Sequence, residues 1–185
     1  MRLRIITGKY GGRFIEAPAT NDTRPTTEKN RGAIYNILSN MIDFEDITGA
    51  DLYAGSGALG FEMVSRGAAL VHFVEKSAKV ARNLERNIET LKAEIHCAVH
   101  LRACTDFIRG YSGTPLSLIV ADPPFFQYDI YQVFEAVRSS NVLAPEGIFL
   151  VERSVQTAEK DQEHFRLEPY RRMGDSLIYI YRNEA

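Results

Sequence analysis

Short apolar runs and helix-spaced stretches alternate along this chain from Asp51 onward, and few folds accept that order. The runs near 70–75, 95–101, 117–121 and 147–151 have the length and bounding residues of buried strands. Between them, residues near 77–92, 103–109, 128–139 and 157–163 carry a helical period; in the first of these stretches Val80, Leu84, Ile88 and Leu91 share one face. Two more strand-like runs, near 165–170 and 176–181, follow. Alternation of this kind predicts an α/β fold, a parallel sheet with helices on both faces. Upstream, residues 3–6 and 13–16 are β-like and flank Gly8, Gly11 and Gly12, the pattern of a hairpin. Thr26 or Thr27 then caps a helix whose Ile34, Ile37, Leu38 and Met41 recur at helical spacing, and that helix is expected to lie over the cleft. With 185 residues, 45% of them hydrophobic, the chain can bury one good core. A single domain over 1–185 is therefore expected, with a hairpin-and-loop appendage at 1–25 and the core at 26–185.

The run 117–121 leads directly into Asp122-Pro123-Pro124-Phe125. Neither proline can donate to a sheet ladder, so the strand must stop there and leave backbone carbonyls beside a carboxylate. Asp122 and the Pro123 carbonyl can together accept both hydrogens of an exocyclic amine, and Phe125 offers a ring on which a planar base can stack. Those are the parts needed to modify a nucleobase nitrogen. A strand ending in a simple turn would use the same residues, and a second motif decides between the two.

That motif is residues 51–60, a short strand entering a glycine-rich turn and then a helix, with Gly55, Gly57 and Gly60 in the order G-x-G-x-x-G. It suits any nucleotide-derived cofactor, because glycine lets the backbone approach a ligand and the helix that follows presents free amides to an anion. Glu75 stands at the tip of the next strand, twenty residues beyond Gly55, where an acid that binds ribose is expected. Asp51, Glu75 and Asp122 each close an apolar run, which puts three acids at one crevice. A nicotinamide-dependent oxidoreductase satisfies the glycine spacing but leaves Asp122 to Phe125 unexplained, and nothing resembles a second nucleotide-binding half. An RNA-binding module with an inert cleft is a further alternative, opposed by the three intact acids. Tyr53 is read as packing.

The net charge is −2, yet residues 1–32 carry a surplus of four positive charges. That asymmetry is the footprint of phosphate contact, with Arg2, Arg4, Lys9 and Arg13 as candidate RNA contacts and Arg171 and Arg172 extending the patch. Cys97 and Cys104, the only cysteines, match no metal-ligand spacing and are read as reduced, buried thiols; four scattered histidines suggest no metal either. No stretch reads as a membrane span or a secretory signal, so a cytoplasmic, monomeric protein is expected.

These residues resemble the class I S-adenosylmethionine (SAM) methyltransferases, and within them the RsmD family, the bacterial 16S rRNA guanine-N2 methyltransferases. The similarity runs through residues 4–13, Arg24-Pro25-Thr26-Thr27, residues 51–60, Glu75 and Asp122 to Phe125. Asp/Asn-Pro-Pro-aromatic tetrads also occur in DNA adenine and protein glutamine methyltransferases, which keeps adenine-N6 methylation as an alternative; the two amino-terminal segments point to this family. The resemblance implies a seven-stranded Rossmann-like sheet whose last strand is antiparallel. It implies SAM as cofactor, held by Asp51, Ala54, Gly55, Ser56, Gly57, Gly60, Glu75 and Lys76, with Cys104, Asp106, Phe107 and Ile108 around the adenine. Here the chain departs from the family, because Ala103 stands where a polar adenine contact is usual. Asp122, Pro123, Pro124 and Phe125 are the implied catalytic residues, and Arg24 and Thr26 substrate-side groups. The implied reaction is in-line attack by a guanine amine on the sulfonium methyl, without metal or covalent enzyme intermediate. The implied partner is 16S rRNA within the small subunit or an assembly intermediate.

Overall fold

The computed structural model describes residues 1–18, 27–124 and 126–184. Central β-branched and aliphatic runs become the parallel strands β3 (Thr48–Leu52), β4 (Leu70–Glu75), β5 (Cys97–Leu101), β6 (Leu116–Ala121) and β7 (Leu143–Ser154). Helices α2 (Ala58–Ser65), α3 (Ala78–Leu91), α4 (Cys104–Gly110) and α5 (Ile130–Arg138) make the crossovers. After β7 come α6 (Ala158–Phe165) and the antiparallel pair β8 (Arg171–Met173) and β9 (Ser176–Arg182). The seven strands lie in the order β5-β4-β3-β6-β7-β9-β8, and β9 is antiparallel to both neighbours. Strand order reverses between β3 and β6, so the crevice for a ligand opens at their carboxyl ends.

Two cores follow from the period of two along each strand. Leu118 and Val120 of β6 face a core shared with α2 and α3, while Ile119 and Ala121 face another shared with α4, α5 and α6. Because both faces are covered, these strands read as continuous rather than alternating apolar runs.

The expected hairpin forms from β1 (Arg2–Arg4) and β2 (Phe14–Glu16), but it is not a free-standing appendage. Three-residue strands cannot hold a hairpin together in water. Ile5, Tyr10 and Ile15 are instead buried in the same core as α2 and α3 and helix α1 (Glu28–Leu38). Glu62 of α2, fully buried, accepts from the Ile6 amide at 2.7 Å and from Arg31 Nε of α1 at 3.3 Å, and pairs with Arg66. On α3, Asn83 and Asn87 both donate to the Glu16 carbonyl, and Asn87 also accepts from the Glu16 amide.

One expectation needs correction. The run at 165–170 is not a strand: Phe165 ends α6 in the core, Pro169 cannot donate, and pairing begins only where the Tyr170 amide bonds the Ile178 carbonyl at 2.7 Å. Helix α1 is capped by Thr27, whose side chain accepts from the Asn30 amide at 3.2 Å; Thr26, with Arg24, lies outside the described residues.

Candidate active site

The turn leaving β3 is set by its glycines for two different reasons. Gly57 is in the left-handed region at φ 80°, and an added Cβ would sit 2.6 Å from both Leu84 and Phe61. At Gly60 the added carbon would meet Phe73 at 2.3 Å and Asp51 Cβ at 3.0 Å, so α2 lies directly against β3 and β4. Gly55 differs. Its φ is also positive, 55°, but the nearest atom to an added Cβ is the Tyr53 carbonyl oxygen at 3.8 Å, and the space above it is open. Packing therefore accounts for Gly57 and Gly60 and leaves Gly55 as the floor of a cradle. Alanine at either Gly55 or Gly57 brings about 1–2 kcal/mol of positive-φ strain. Gly57→Ala is expected to lose about 1–3 kcal/mol more in urea denaturation because it also overpacks; equal losses would contradict this division.

Around that cradle stand the three acids. Asp51, 2% exposed, accepts from the Gly60 amide at 2.7 Å. Burial pushes its pKa well up; the Gly60 amide works against this, and the charges of Asp122 and Glu75 add to the rise. Asp51 lies opposite Phe73 of β4 and Val120 of β6, so Asp51 inside β3, Glu75 at the end of β4 and Asp122 just past β6 all stand toward the same end of the sheet. Glu75 is fixed by two backbone amides, Gly55 at 3.2 Å on Oε2 and Ser77 at 2.8 Å on Oε1, which leaves each oxygen a second lone pair for a ligand hydroxyl. Helix α2 starts at Gly57 without a side-chain cap; the Gly57 and Gly60 amides go to the Ala54 carbonyl and to Asp51, which leaves those of Ala58 and Leu59 for an anion. Acids for a cation or hydroxyls, amides for a carboxylate and an open backbone floor form a donor set that fits an aminoacyl nucleoside such as SAM.

Asp122 is half-buried just past the end of β6, followed by buried Pro123 and half-buried Pro124. The Gln127 amide donates to the Pro124 carbonyl at 2.9 Å. Phe125 lies outside the described residues. Ala54 is buried, its amide bonded to the Val74 carbonyl, and Ser56 lends its carbonyl to Asn87; Lys76 is exposed beside the α3 cap.

The residues expected around adenine separate. Phe107 is 3% exposed, and its ring packs on His72 and His100 with centroids at 5.7 and 4.8 Å, so it serves the core. Ile108 is likewise buried. Burial pushes the Cys104 thiol up to about 12, which makes it an inert packing group. Asp106 is exposed on the first turn of α4.

The amino-terminal cations are largely engaged within the protein. Arg2 pairs with Glu16 at 2.9 Å, Arg4 pairs with Glu28, and Arg13 donates to the carbonyls of Leu91 and Thr90 at 3.0 and 2.6 Å. Arg31, counted in the basic surplus, is buried. Lys9 is exposed, its ammonium 5.5 Å from the Tyr10 ring centroid.

Sequence reasoning missed Asn87, which bonds β2 and the Ser56 carbonyl of the glycine turn at once. The available signal was a pair of asparagines, Asn83 and Asn87, one residue ahead of Leu84 and Ile88 on the inner face of α3. It also missed the setting of Tyr53. That residue is left-handed at φ 59°, and its buried hydroxyl has no hydrogen-bond partner among the described residues; burial, with Cys104 and Asp129 adding to it, holds its pKa well above the usual phenol range.

The sheet order, the switch point between β3 and β6 and the acids at their tips define the architecture of a class I methyltransferase. A family model described as Conserved hypothetical protein 95 matches residues 3–182. The Ribosomal RNA small subunit methyltransferase D of Escherichia coli strain K12 is 34% identical over 185 residues, covering 100% of this chain and 91% of the relative. Its Haemophilus influenzae namesake is 30% identical over 183 residues, covering 98% and 94%. The solved structure of the Escherichia coli protein yhhF superposes with a TM-score of 0.81 at 29% identity, covering 100% of this chain and 99% of the other. The chain belongs to the RsmD family of methyltransferases.

Proposed function

We propose that this protein transfers a methyl group from SAM to the exocyclic N2 amine of a guanine in small-subunit ribosomal RNA. The observation that carries the reading is the convergence of Asp51, Glu75 and Asp122 on an open glycine floor in a chain similar along its whole length to small-subunit rRNA methyltransferases. When bound, SAM supplies an electrophilic methyl on a sulfonium. Asp51 and the free amides of α2 hold its amino acid end and Glu75 its ribose. On the acceptor side, the Asp122 carboxylate and the Pro123 carbonyl take the two amine hydrogens, which aims a nitrogen lone pair otherwise delocalised into the ring. The acids also favour the positive charge that develops on that nitrogen. Because a paired, stacked guanine hides its amine, the base enters flipped or already unpaired, with Phe125 as its stacking ring. Guanine over adenine rests on the family resemblance of the amino-terminal segments.

Calorimetric titration with SAM and NAD separates this reading from an oxidoreductase: SAM binds and NAD does not. Glu75→Ala is expected to weaken SAM binding by about 1–3 kcal/mol, the loss of a charge-assisted hydrogen bond. Unchanged SAM affinity in a folded Glu75→Ala protein removes the ribose assignment.

A further inference from the structure

Besides the hairpin, where Arg2 and Arg4 sit in exposed pairs with Glu16 and Glu28, a second surface suited to an RNA strand begins at the acceptor loop. Just after it, Phe126 has 68% of its surface exposed, and Tyr128 follows at 39%. From Tyr128 the aromatic surface continues without a break. The Tyr128 and Tyr131 rings are stacked with centroids 6.0 Å apart, and Tyr131 stacks on His164 at 4.1 Å and 17°. Tyr131 is fixed from behind, its hydroxyl donating to buried Asp161 at 2.8 Å. These rings wall a groove of about 620 Å³ along α5, with Arg109 on its far side. Lys160 stands with its ammonium 4.5 Å from the Tyr128 centroid. Among the described residues that line the groove the one acid is Glu135, 3.6 Å from Arg138.

Phe126, Tyr128 and His164 are exposed around half-buried Tyr131 and are flanked by the exposed Arg109 and by Lys160, a set that matches a flexible strand of unpaired nucleotides: bases stack on the exposed rings and phosphates meet the cations. A protein partner of matching apolar character would not need Lys160, His164 and Arg109 at the rim, and a paired RNA helix offers no base faces to the rings. We propose that Phe126, Tyr128 and the α5 groove bind the single-stranded RNA next to the target nucleotide, with Lys160 and Arg109 on its phosphates. The inference rests on the RNA-methylation reading above and adds to it the surface that holds the strand beside the modified base.

The test uses the whole protein and a fluorescent oligouridylate of about twelve nucleotides, which has no target guanine and no secondary structure. Phe126→Ala with Tyr128→Ala is expected to raise the dissociation constant at least tenfold, as base–ring stacking is lost. SAM affinity should hold, which shows that the variant is folded. Phe126→Leu with Tyr128→Leu should not restore binding, since it returns apolar area without a π face. Lys160→Gln is expected to lower the log–log salt slope by about 0.7. With small subunits as substrate, the double alanine variant should raise KM for the RNA. Unchanged oligouridylate affinity in the double variant, or rescue by leucine, would overturn the groove. A wild-type protein that binds the oligonucleotide through these rings but methylates no guanine would overturn the functional reading instead.

Discussion

Asp122→Ala should lower methyl transfer by about 10²–10³-fold, the usual loss when one preorganised charge-stabilising group is removed from a transition state. SAM affinity should stay near that of the unaltered protein, because the proposal gives the cofactor to the glycine turn, Asp51 and Glu75 on β3 and β4 and the acceptor to Asp122, just past β6. A loss in kcat with little change in SAM binding marks a group that acts on the acceptor. Asp122→Asn should be nearly as damaged, since an amide turns one acceptor into a donor facing the amine hydrogens. The substitution has a second consequence that can be read independently. Asp122 contributes to the raised pKa of Asp51, so its removal should let Asp51 ionise at lower pH. If SAM affinity falls as far as the rate, Asp122 is a cofactor ligand and the assignment fails.

The largest effect on stability is expected at Glu62. Its carboxylate is fully buried and answers Arg31, Arg66 and the Ile6 amide, while Arg31, 1% exposed, also donates to the Arg4 carbonyl. Removing one partner of a buried ion pair strands the other charge, at a cost of about 3–5 kcal/mol. Arg31 already has one guanidinium nitrogen without a partner, so it has no spare bond to recover. A domain of this kind has about 5–15 kcal/mol in total, and Glu62→Ala should therefore come close to unfolding it. Urea denaturation measures this directly. A loss below about 1 kcal/mol would mean that the network is solvated and does not tie the hairpin to the core.

The sheet was legible because both its faces are covered: buried strands such as 117–121 announce themselves as unbroken apolar runs, and the prolines after Asp122 mark where one stops. The strand tips were legible for the same reason, since an acid that ends such a run has nowhere to point but the crevice. What the sequence hid is long-range. Nothing local distinguishes the buried Arg31 from the exposed Arg4, and only the fold reveals that Glu62 waits for the first of them. The hairpin read as an appendage because its apolar residues, Ile5, Tyr10 and Ile15, are few and its charges many. Those three residues nevertheless complete the main core, and the charges find partners at Glu16, Glu28 and the end of α3. Phe107 read as a ligand contact because of its place after β5, whereas its helical phase turns the ring onto His72 and His100. The closing strand β9 falls where its run indicates, but β8 lies a few residues beyond the β-like run at 165–170, since Pro169 cannot donate to the ladder.

The proposed methylation of a guanine N2 in small-subunit RNA can be read on the RNA itself. Small subunits from cells lacking the protein are incubated with purified protein and isotopically labelled SAM, and their 16S rRNA is mapped by mass spectrometry against untreated RNA. The account predicts a single labelled methyl, on the N2 amine of one guanine that is unmodified in the untreated RNA. A label on adenine N6, or none on the small-subunit RNA, would contradict it.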